Sequence, residues 1–143
     1  MIESVLTGFK TKVDELTESA HNTFYTAIGG RWYDTEAPQS ATFPFAVIYP
    51  MPVFQDYTFK TVSYILPVNI NLFSKERANT EIDDIFGKFK TLFYPAGGAD
   101  WTQLTMTGSG YSQIMLKPEF ANRFRPEEIW QYSIEMTCRI LES

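Results

Sequence analysis

The run from Val62 to Phe73 constrains this chain more than any other segment. Val62, Tyr64, Leu66, Val68, Ile70 and Leu72 fall on one face, while Ser63, Asn69 and Asn71 fall on the other. A two-residue period sustained this long is a β-strand with one packed and one wet face. The strand closes in Phe73-Ser74, and Ala78, Ile82, Ile85, Phe86, Phe89, Leu92 and Phe93 then recur at three- and four-residue steps. That spacing predicts an amphipathic helix, and a sheet with one apolar face needs such a cover.

The remaining elements follow from the same two periods. Ile2, Val5, Leu6, Phe9, Val13, Leu16, Ala20, Phe24 and Ile28 form one stripe, with Gly29-Gly30 as a stop, which predicts one long N-terminal helix. Arg31 to Phe43, containing Pro38 and lacking a period, reads as a loop into the strand Phe45-Ala46-Val47-Ile48-Tyr49, which Pro50 and Pro52 end. Val53 to Thr61 fits either a hairpin loop or an extra short strand. Pro67 has no N–H for a ladder, which predicts a sheet edge or a bulge at that position. Tyr94-Pro95-Ala96-Gly97-Gly98 is a breaker, and Gly108-Ser109-Gly110 reads as a turn between strands Gln103–Thr107 and Tyr111–Lys117. The last strand alternates Trp130, Tyr132, Ile134, Met136, Cys138 and Ile140 against Gln131, Ser133, Glu135, Thr137 and Arg139. The expected fold is therefore a two-layer α+β domain: a mainly antiparallel sheet of about five strands covered by two helices, in the order α-β-β-α-β-β-β. Ser63, Asn69, Asn71, Gln131, Ser133, Glu135 and Thr137 leave its open face polar and mostly uncharged, which suits a wet protein contact.

At 143 residues with 44% apolar content, the chain reads as one domain over residues 1–143, able to build a core without staples. A single cysteine, Cys138, cannot form an internal disulfide, so no oxidising compartment is needed. Glu3, Lys10, Lys12, Asp14 and Glu15 exclude the apolar core of a secretory signal from the N-terminus, and no apolar run reaches bilayer length. No membrane partner is expected. A net charge of −5 disfavours condensation on a phosphate backbone.

Catalytic groupings are not legible. His21, the only histidine, has no thiol or carboxylate partner at matching spacing and reads as a surface or boundary residue. Cys138 falls on the packed face of the last strand, where a thiol is a small apolar group with a raised pKa. One histidine and one distant cysteine cannot supply a zinc site. Glu81, Asp83 and Asp84 lie off the apolar stripe of their helix, and adjacent helical residues diverge, so they read as a solvated face. Gly108-Ser109-Gly110 lacks nucleophile-elbow spacing, and no phosphate-loop lysine follows Gly97-Gly98. No cofactor, metal or enzymatic activity is expected.

Two segments carry the aromatics and arginines enriched at interfaces: Phe54, Asp56, Tyr57, Phe59 and Lys60 in the first, Phe120, Arg123, Phe124 and Arg125 in the loop Pro118 to Pro126. The same rings could instead fold back over the sheet ends. The helix, the Pro44-Phe45-Ala46-Val47-Ile48-Tyr49 strand, the Tyr64 to Phe73 strand with Phe73-Ser74, the helix near Ala78 and the alternating final strand together resemble the tail terminator (tail completion) proteins of long-tailed bacteriophages and prophages. The resemblance covers most of the chain as an order of elements and departs from it in the long Tyr94 to Trp101 and Glu119 to Glu128 connections. It implies a virion protein, assembled in the host cytoplasm, that forms a homo-hexameric ring on the tail tube protein, stops tube growth and presents a surface to the head–tail connector protein. DNA would only pass through the lumen, eased by carboxylates there. Another phage neck ring protein, or a small-ligand-binding or enzymatic α+β domain, remains open at this point.

Overall fold

The computed structural model describes residues 2–17, 20–57, 62–93 and 111–142. The Val62 run forms the spine of the sheet as β6 (Val62–Ser74), paired along its whole length with the final strand, β8 (Trp130–Glu142). Leu66, Val68, Ile70 and Leu72 are buried on one face, opposite Cys138, Met136, Ile134 and Tyr132. Beyond β8 lies β7 (Tyr111–Phe124), antiparallel to it. On the other flank β4 (Phe45–Pro50) pairs with the second half of β6 and β5 (Phe54–Tyr57) with the first half, both antiparallel. A short strand, β3 (Trp32–Asp34), adds in parallel to β4, giving this sheet six strands among the described residues.

The α+β, mainly antiparallel architecture is thus as the patterning predicts, with differences that have local causes. The N-terminal stripe is not one helix. It breaks into α1 (Ile2–Val13), a small hairpin of β1 (Leu16–Thr17) and β2 (Ala20–His21), and α2 (Thr23–Ala27), so that three α-helices are present among the described residues rather than two. Val13 and Phe24 are eleven residues apart by number, three helical turns, and both are fully buried. The hairpin keeps them both in the core while turning the chain, and leaves Leu16 59% exposed where an unbroken stripe would bury it. Gly29 and Gly30 do stop the helix, with φ of 60° and 71°. The stretch read as a loop from Arg31 contains β3, a strand too short to show a period.

Pro67 is not at an edge: it sits within β6, opposite Thr137 of β8. A residue's N and O point to the same side of a strand, and Pro67 O accepts a bond from Met51 N at 2.9 Å. Its missing N–H therefore falls on the flank where β4 ends and β5 begins, and removes no bond from the β6–β8 ladder. The connection expected from Glu119 to Glu128 is largely strand, because β7 runs through Pro118 to Phe124 with register shifts between Gln113 and Met115 and between Pro118 and Phe120. A 3-10 turn at Pro126–Glu128 then leads into β8. The expected strand Gln103–Thr107, the Tyr94–Gly98 breaker and the Gly108–Gly110 turn lie outside the described residues.

One face of the sheet is covered by the helices. α3 (Thr80–Phe93) buries Ile82, Ile85, Phe89 and Phe93, and α1 buries Val5, Leu6, Phe9 and Val13. A chain of rings joins the elements: Trp32 of β3 meets Phe24 of α2 at 6.1 Å, Phe24 meets Phe89 at 5.5 Å, Phe89 meets Phe93 at 4.7 Å and Phe93 meets Phe9 at 5.4 Å between centroids. Offset and edge contacts of this kind add to area burial.

Candidate functional site

Chemistry is sparse among the described residues. His21 is exposed and stacked on Tyr25 at 3.8 Å, a surface histidine as the sequence predicts. Cys138 is fully buried beside Leu66 and Leu116, and burial pushes its thiol up to about 12. The native thiol is therefore expected to alkylate roughly a thousandfold more slowly than the unfolded chain at mildly alkaline pH, a comparison that mass spectrometry reads directly. Because the unfolded thiol would ionise first, the same shift makes stability fall as pH climbs from about 9 towards 12. Asp83 takes two bonds from Arg123 Nη1 at 2.7 and 2.8 Å, Asp84 pairs with Lys88 at 2.8 Å, and Glu81 accepts from Ser74 Oγ at 2.7 Å. The acidic residues of α3 thus diverge into separate local ties. Desolvation, then the hydrogen bond and charge of Glu81, hold the Glu76 carboxyl above its ordinary value. The hydroxyl beside that pair, Ser74 Oγ, accepts from Glu76 N at 3.2 Å and is fully buried. No three His, Cys, Asp or Glu side chains gather to hold a metal among the described residues, and no helix there is long and apolar enough to cross a membrane.

Surfaces are more informative. The face of the sheet away from the helices carries a polar ladder: Gln131 Nε2 donates to Asn71 Oδ1 at 3.0 Å and Asn69 Nδ2 to Ser133 Oγ at 3.2 Å. At one end of that face the rings of Tyr33, Phe43 and Phe73 cluster around Phe45, with Lys75 over the Phe43 ring at 4.5 Å. Tyr49 stands 50% exposed beside this ladder, opposite Asn69. The sequence reading passed over Tyr49, although the alternation of β4 puts Phe45, Val47 and Tyr49 on the face opposite Ala46 and Ile48.

The predicted interface residues separate into two places. Phe54 opens β5 on one flank of β6 and is 59% exposed. Asp56 and Tyr57 follow it in β5, and Phe59 and Lys60 lie outside the described residues. Phe120 and Phe124 belong to β7, on the far side of β8, and remain exposed. Arg123 of the same strand is tied back to Asp83 of α3, and its guanidinium and that of Arg125 flank Trp130 at 5.2 and 5.5 Å. The Trp130 indole donates to Arg77 O at 3.3 Å. So the phenylalanines and the arginines all stay exposed, and the two arginines hold the end of the sheet, ties that residue type alone could not reveal.

The register separates Phe54, in the row of Arg139, from Phe120, in the row of Glu135, with β6 and β8 between them. Four residues along and three strand spacings across put these positions roughly 20 Å apart. Neither β5 nor β7 has a partner strand on its outer side among the described residues. Between α3 and β7 a groove of about 390 Å³ is lined by Phe86, Phe89, Lys90, Pro118, Glu119, Phe120, Ala121 and Ile134. A second, of about 260 Å³, lies between α1 and the β3 edge. The first is lined mainly by apolar side chains, with no converging set of polar groups that would orient a reacting substrate.

No protein-family model matches the sequence, and no curated protein matches it at a significant level. The fold does match a solved structure titled virion of native gene transfer agent (GTA) particle. The likeness has a TM-score of 0.67 at 14% identity and covers 87% of this chain and 88% of the chain in that particle. At that identity the likeness is one of fold, and it spans nearly the whole of both chains.

Proposed function

We propose that this protein is a structural component of a phage or phage-like virion that assembles as a ring on the end of the tail tube, ends tube growth and forms the surface to which the head attaches. The observation that carries this reading is the placement of exposed aromatics on opposite edges of one sheet, Phe54 on β5 and Phe120 with Phe124 on β7. Where patches that differ and lie on opposite edges bind each other, they add copies head to tail, and such contacts close into rings when the rotation permits. The near full-length fold likeness to a chain of a gene transfer agent virion supports placing the protein in a particle. The uncharged amide ladder on the open face and the net charge of −5 suit a ring that DNA passes through without being held. The partners in this reading are other copies of the chain, the tail tube protein and the head–tail connector protein.

Light scattering over a wide concentration range, paired with binding to isolated tails and isolated heads, tests it. A sixfold mass and capture by tail ends are expected. Rings that bind heads alone would move the protein to the neck, and a monomer that binds neither particle would overturn the assignment.

A further inference from the structure

We draw no further inference here: the strongest candidate, the face of the sheet away from the helices, where Tyr49, Phe54 and Phe124 stand exposed around the hydrogen-bonded Asn69–Ser133 and Asn71–Gln131 pairs, is an unpartnered surface, and nothing in the structure shows what covers it.

Discussion

Replacing Phe89 by alanine is expected to cost about 3–5 kcal/mol of folding stability and to lower the midpoint of thermal unfolding by roughly 10 °C. Phe89 is fully enclosed and is the central member of the ring chain that runs from Trp32 through Phe24 to Phe93 and Phe9. Those residues belong to β3, α2, α3 and α1, so the deletion opens a cavity where α1, α2 and α3 meet. The neighbours cannot collapse into it cheaply, since Phe93 and Phe24 are themselves held by Phe9 and Trp32. Urea unfolding of Phe89→Ala beside Phe89→Leu measures the effect; leucine restores much of the volume, and a loss below about 2 kcal/mol from it is expected. An alanine variant as stable as the parent would mean that the helices are not joined through this residue.

How much of this was legible in the sequence depends on the length over which each period could be read. The Val62 to Phe73 and Trp130 to Ile140 runs specify strand, face and partner together, since a one-residue slip would turn Leu66, Val68, Ile70 and Leu72 out of the core. The α3 stripe is equally clear. β3 has three residues, too few for any period, and its parallel pairing with β4 is set by the tertiary fold. β7 was foreshortened because Pro118 reads as an end, yet a bulge lets the strand pass through it.

The candidate assembly residues show a different limit. Composition picks out Phe54, Phe120, Arg123, Phe124 and Arg125 as a class, but it cannot say that the arginines are tied to Asp83 and Trp130 on the surface at one end of the sheet. That Phe54 and Phe120 stand on opposite edges follows only from the strand order, in which β6 and β8 intervene. In the proposed ring, opposite edges are what would make the assembly directional, and strand order is a property of the whole chain.

The break between α1 and α2 was the largest departure from the sequence reading, and it predicts the second large effect. Asn22 holds that break with its entire side chain. Its Nδ2 donates to Val13 O at 2.8 Å and Glu15 O at 3.0 Å, closing the end of α1, while its Oδ1 accepts from Tyr25 N at 2.8 Å, capping the start of α2. Asn22→Ala removes the cap, worth about 1 kcal/mol, and deprives the buried Val13 carbonyl of its donor, for a further 1–3 kcal/mol or so. A total of about 2–4 kcal/mol is expected from urea unfolding. Asn22→Asp separates the two contributions. Aspartate caps a helix as well as asparagine does, but it has no N–H to donate and would set a carboxylate against the Val13 and Glu15 carbonyl oxygens. If the role of Asn22 were capping alone, aspartate would be neutral. With the amide clamping both helices, aspartate should be no better than alanine near neutral pH and should recover as acid protonates it, since a carboxyl held among carbonyl oxygens favours its neutral form.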